Sequence, residues 1–170
     1  YQTDPRPSLP FLGQNNGLCI FSRLPFTSPP STHNFATSGE LVCTKGFSHA
    51  AVEFGGAPLH VVTTHMDSKK RPKNVKEIQA GEIASALQLL LISTSAKRQA
   101  QCVVAGDFNI CSRGTKDDGT QYRALKAALA PMADVYDGSE IAPTRRPDTK
   151  PWVRGKKKGK EGGAAIDHFF

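Results

Sequence analysis

No stretch of this chain is apolar for long. The most apolar segment, 87–92, falls far short of the roughly 20 residues that cross a bilayer as a helix, so none of these residues forms a membrane-spanning helix. No secretory signal is visible. The chain opens on Tyr1 rather than Met and closes on Phe170 inside an apolar run, so both ends read as cut and the missing signals leave the location open. Cysteines are few: Cys19, Cys43, Cys102 and Cys111, with no CxxC pair. That argues against a structural zinc site. The four read as reduced, buried or half-buried thiols, which favours an intracellular setting. A Walker loop, a GxSxG elbow and an HExxH helix are all missing, and with them the simplest routes to nucleotide hydrolysis, serine hydrolysis and zinc proteolysis.

The 170 residues suit one domain with a sizeable core, spanning 1–170. The net charge of +7 favours an anionic partner such as phosphate, nucleic acid or an acidic lipid surface. The excess is concentrated. Lys156, Lys157, Lys158 and Lys160 follow Arg145, Arg146, Lys150 and Arg154 inside a Gly-, Pro- and Lys-rich loop over 138–163. Such a run is most often simply a solvated loop, but it could meet an anionic surface.

Alternation and turn residues predict short strands over 17–23, 40–44, 49–54 and 59–65, with a loop from Pro25 to about Gly39. Apolar residues at 75, 78, 83, 86, 87, 90 and 91 have helical spacing, and Asn74 suits the cap. A buried strand over 102–107, a helix over 122–130 ended by Pro131, a short strand over 132–137 and a last strand over 165–170 complete the pattern. Strands first, then strands alternating with helices, fit an α/β (α+β) fold with a mixed sheet layered by helices.

Three of these strands end in polar groups. VVTTHMDS carries His65, VVAGDFN carries Asp107 and Asn109, and AAIDHFF carries Asp167 and His168. A histidine at a strand end is more often a hydrogen-bonded structural group, and an aspartate before a turn is usually a turn former. Asp107 and Asn109, however, alternate, so both point to one side. Together the three strand ends could bring carboxylates and imidazoles to one rim of a sheet. That set suits metal-assisted attack on a phosphate ester. Asp and Asn oxygens are hard ligands of the kind Mg²⁺ prefers, with Mn²⁺ as a substitute. One imidazole can take a proton from attacking water while a second stabilises the phosphate.

GLCIFSRLPF, KGFSHAAVEFGGAPLHVVTTHMDS, QAGEIASAL, VVAGDFN and IDHFF, in that order from Gly17 to Phe170, resemble the endonuclease/exonuclease/phosphatase superfamily. Within it, NNGLCIFSRLPF and the KGF at 45–47 are most similar to the neutral sphingomyelinase-like branch. The resemblance implies a four-layer α/β/β/α sandwich, Mg²⁺ dependence and hydrolysis of a phosphodiester by in-line attack of water. It implies that His65 contacts the scissile phosphate. Asp107 and Asn109 orient the nucleophile or phosphate and touch metal, Asp167 is a metal ligand or its supporting partner, and His168 is the general base.

The family also places an Asn at the end of its first strand and a metal-binding Glu soon after. Only sixteen residues precede Gly17, without a Glu, and Asn15 and Asn16 lie too close to the 17–23 segment to match. The expectation is an N-terminally truncated domain with an incomplete metal site, inactive in this form. Arg23 and Lys45 could face the site but also suit plain strand and turn positions. His33, His49 and His60 read as ordinary, and Trp152 as locally packed. Three functions compete: a phosphodiesterase converting sphingomyelin to ceramide and phosphocholine, a DNA or RNA endonuclease or exonuclease on the same centre, and a catalytically incomplete binding module. The substrate is accordingly a phospholipid or a nucleic acid, and no partner protein is evident. A nuclease would lose binding steeply with salt. A sphingomyelinase would need a lipid surface, for which the 26–39 loop offers only Phe26 and Phe35.

Overall fold

A computed structural model describes residues 1–3, 16–39, 43–68, 74–94, 100–111, 119–135 and 167–170. They form one five-stranded sheet and two helices. The elements in chain order are β1 (Ser31–Asn34), β2 (Gly46–Phe54), β3 (Ala57–His65), α1 (Val75–Thr94), β4 (Gln101–Asp107), α2 (Thr120–Leu129) and β5 (Asp167–Phe169), and the strands lie in that same order across the sheet. β1, β2 and β3 are an antiparallel meander, β3 and β4 run parallel, and β5 returns antiparallel to β4. A parallel pair needs a long crossover, and α1 supplies it.

Strand periodicity sorts the two faces of the sheet. On β3, His60, Val62 and Thr64 are buried while Val61, Thr63 and His65 between them are half-buried. The buried set faces the core, where Val62 and Val104 join Ile83 and Leu87 of α1 and Tyr122, Leu125 and Leu129 of α2. Phe108 and Ile110, just past β4, are 0% and 2% exposed and belong to the same cluster. Phe108 meets Phe170 edge to face, with ring centroids 5.6 Å apart. Truncating a side chain so fully buried costs about 3–5 kcal/mol.

Two glycines fix the pairing. A Cβ on Gly106 would lie 2.1 Å from the Thr64 carbonyl oxygen, and one on Gly46 would lie 2.0 Å from that of His33. Gly106 also sits at φ 150°, a backbone that side chains rarely adopt.

The helices and the strands over 49–54, 59–65 and 102–107 stand within a few residues of their expected bounds. Asn74 precedes α1 with φ 62°, and its carbonyl accepts from the Ile78 amide. Elsewhere the expectation fails. The segment 17–23 is no strand: Asn16 Oδ1 accepts from the Leu18 amide in a tight turn, and the segment meets residues 1–3 through a single bridge, Gln2 to Phe21, flanked by the Thr3 amide donating to the Ile20 carbonyl and the Ser22 amide to that of Tyr1. Apolar content there comes from packing, not from a ladder. Of 40–44 only Cys43 and Thr44 are described, and neither belongs to a strand. Residues 132–135 are also not a strand, because Asp134 is drawn inward by the Tyr122 hydroxyl, which donates to Oδ2 at 2.7 Å. β1 was hidden inside a polar, proline-flanked loop. Its backbone pairing to β2 overrides side chains of poor strand propensity. The basic loop over 138–163 lies outside the described residues, which comprise one sheet and one helical layer of the expected four. The four cysteines carry thiols and not disulfides, and burial pushes the Cys102 thiol up to about 11.

Candidate active site

The register of the sheet aligns the expected residues. Gly46 pairs with His65, His65 with Asp107, and Asp107 with Asp167, a single row across four adjacent strands. His168 is one step along, opposite Gly106. All five residues expected from the sequence therefore come to one end of the sheet. His65 and Asp107 are each about one-third exposed, with Nε2 and Oδ2 3.8 Å apart. That is longer than a hydrogen bond.

Asp107 and Asn109 do meet, though not by strand alternation. β4 ends at Asp107, and Asn109 takes a left-handed backbone with φ 52°, which asparagine tolerates better than most residues. The Asn109 amide donates to Asp107 Oδ1 at 2.8 Å, and its side-chain Nδ2 donates to the Met66 carbonyl at 2.8 Å. A carbonyl only accepts, so the amide nitrogen must face Met66 and Oδ1 is turned the other way. Phe108, between the two, anchors the turn in the core. Met66 continues the β3–β4 ladder, its amide donating to the Asp107 carbonyl at 2.9 Å.

Two lysines support this end; in the sequence Lys45 stands out only as a residue that could face the site, and Lys76 is not singled out. Lys76, 7% exposed in the first turn of α1, donates from Nζ to the Asn109 carbonyl at 2.5 Å and to Gln121 Oε1 at 3.5 Å. A cation at a helix N-terminus opposes the macrodipole, and that misfit was the signal available. Lys45, 4% exposed, donates from Nζ to His65 Nε2 at 2.7 Å. Behind them, Asp67 is fully buried. Its Oδ2 accepts from the Gly39 amide and from Gln79 Nε2, while Oδ1 has no hydrogen-bond partner among the described residues.

His49 and His60 stand apart from this row, on the core-facing side. Their rings stack 5.2 Å apart, with His49 Nε2 and His60 Nδ1 2.9 Å apart. Burial, then His60, then His33, lower His49 to about 4, and burial also lowers His60. These two are structural, as expected.

Asp107 and Asn109 offer the hard oxygen donors that Mg²⁺ takes. Among the described residues no group of three or more His, Cys, Asp or Glu stands close enough together to hold a metal ion. The oxygen chemistry fits such an ion, and the described donors make only part of its shell.

Residues 4–170 match the model of the Endonuclease/Exonuclease/phosphatase family. The chain belongs to that family. Solved structures agree on the fold of this endonuclease/exonuclease/phosphatase domain. Beta toxin from Staphylococcus aureus, a F277A, P278A mutant with bound magnesium ions, superposes with a TM-score of 0.73 at 19% identity, covering 100% of this chain and 61% of that one. Sphingomyelinase C from Streptomyces griseocarneus gives 0.55 at 21%, covering 68% and 39%. Truncated TDP2 from Caenorhabditis elegans gives 0.60 at 16%, covering 89% and 54%. The chain thus spans less than two thirds of each. No curated protein matches it.

Proposed function

We propose that this family member is a Mg²⁺-dependent phosphodiesterase of the sphingomyelinase type, hydrolysing a phospholipid headgroup ester with activated water. The observation that carries the reading is the row His65, Asp107, Asp167, which gathers an imidazole and two carboxylate residues at one sheet end. Asp107, Asn109 and Asp167 would hold the metal, which when bound supplies charge neutralisation at the phosphoryl oxygens. His65 faces the scissile phosphate. Asn109 Oδ1, fixed by the turn, orients the phosphate or the attacking water. His168 takes the water's proton.

The net charge of +7 favours a second reading, a nuclease on the same centre. Lys156, Lys157, Lys158 and Lys160 would then track the phosphate backbone.

The test is hydrolysis by the full-length protein of sphingomyelin vesicles beside plain and abasic DNA, with Mg²⁺ or EDTA, and a His168→Ala control. Lipid cleavage lost with EDTA and in the variant is the expected result. Cleavage of DNA alone would move the substrate and keep the chemistry. No metal-dependent cleavage of either would sink both readings.

A further inference from the structure

We infer that Lys45 is a further substrate-binding residue of this site, the cation that a phosphoryl oxygen meets, with His65 as the group that positions it. The inference deepens the phosphodiesterase reading and rests on it, and it moves the phosphoryl contact from His65 itself to the lysine that His65 holds. Its starting point is the direction of one hydrogen bond. An ammonium has hydrogens to give and no lone pair, so in the 2.7 Å contact His65 Nε2 must be the acceptor. A ring nitrogen that accepts cannot at the same time donate to a phosphoryl oxygen. While Lys45 holds Nε2, the positive hydrogens at this spot belong to the lysine.

The placement of Lys45 fits that role. It immediately precedes Gly46, which pairs with His65 in the row that continues to Asp107 and Asp167. Its main chain is pinned as well, since its carbonyl accepts from the Phe35 amide at 3.0 Å. At 4% exposure the stem has little freedom left to lose. A flexible surface lysine would give up that freedom on binding a phosphate, and a packed one has already done so. The imidazole it touches is one-third exposed, so the pair reaches solvent on the His65 side. The short Gly46 that follows cannot be exchanged for a larger residue that would tilt the lysine, because a Cβ there strikes the His33 carbonyl.

The experiment measures binding of inorganic phosphate, in Mg²⁺, to the unmodified chain and to Lys45→Met, Lys45→Arg and His65→Ala. The ¹⁵N shifts of the His65 ring are followed alongside. Lys45→Met is expected to weaken phosphate at least tenfold with the fold retained by circular dichroism. Lys45→Arg keeps most of the affinity, and His65→Ala weakens it less than Lys45→Met does. In the unmodified chain Nε2 reports as an acceptor, and its shift moves on adding phosphate but no longer does so in Lys45→Met, a dependence that a merely structural lysine would not cause. Phosphate binding that is undetectable in the unmodified chain, or undiminished in a folded Lys45→Met, overturns the inference. So does a His65 ring whose ¹⁵N shifts ignore both lysine and phosphate. Lys45-dependent phosphate binding without hydrolysis of any phosphodiester would uphold the anion site and count against the phosphodiesterase reading alone.

Discussion

β3 carries two histidines five positions apart, and they lead opposite lives. His60 is buried on the core side, 2.9 Å from His49, its pKa lowered by burial. His65, at the end of the same strand, is on the other face, one-third exposed between Lys45 and Asp107. An odd separation along a strand puts two residues on opposite faces, and that alone separates the pair. The core-side imidazoles have another imidazole for a partner and are held neutral. The rim imidazole has an ammonium and a carboxylate beside it and stays open to solvent. Chemistry is available only to the second kind, because a reactant must reach it.

The comparison breaks most visibly at Asp107. Asp107→Ala should lower phosphodiester hydrolysis on the order of 10²–10³-fold, the usual cost of removing a preorganised electrostatic group at a reacting centre, while thermal melting stays close to that of the parent chain. A melting point that collapses together with activity would make the rim carboxylate structural and erase the contrast.

Acid separates the two pairs next. With His49 at about 4 when folded and about 6.5 when unfolded, the unfolded chain holds more protons between those values. Stability is therefore full above about pH 6.5 and falls as the pH drops towards 4, by up to about 3 kcal/mol from this residue. The charged and titratable neighbours are His60 across the hydrogen bond, His33 on β1, and Cys102, which pairs with His60 on β4. α1 contributes no charge here, as it has none after Glu82. Urea midpoints measured across this range should slope, and the slope should flatten in His49→Gln. A flat profile in the parent chain would show that the core pair takes up protons freely.

The smallest effects sharpen the contrast from the side of stability. His60→Ala leaves a buried ring nitrogen of His49 unpaired and should cost about 1–3 kcal/mol. His65→Gln removes a part-exposed ring while keeping an acceptor for the Lys45 ammonium, and should cost roughly 0.5 kcal/mol or less. Equal losses in a denaturant titration would contradict the assignment of one histidine to the core and the other to the site.

Much of this was legible beforehand. Helical spacing located α1, and apolar runs located β3 and β4, because those elements bury one continuous stripe. The strand-end residues His65, Asp107 and Asp167 could be named as candidates since polar groups closing apolar strands stand out. Their alignment could not be read, as register between β3, β4 and β5 is a property of pairing and not of any one segment. β1 was invisible because its stability comes from the ladder to β2. The turn at Asn109 was misjudged as continued alternation, and only the φ of 52° corrects it. Lys45 stays ambiguous in the sequence, since a lysine before a glycine reads as a turn until its partner is known.

Gly106 gives the pairing of β3 and β4 an error check. Slide β4 by one residue and either Ala105 or Asp107 would face the Thr64 carbonyl, where a Cβ would stand 2.1 Å away. The same slide would carry Asp107 onto the core face, where an unpaired carboxylate is expensive. A mispaired chain therefore pays twice in stability before its lost chemistry is ever noticed. Selection for a soluble, folded protein would guard this alignment even in a lineage under no pressure to keep the reaction.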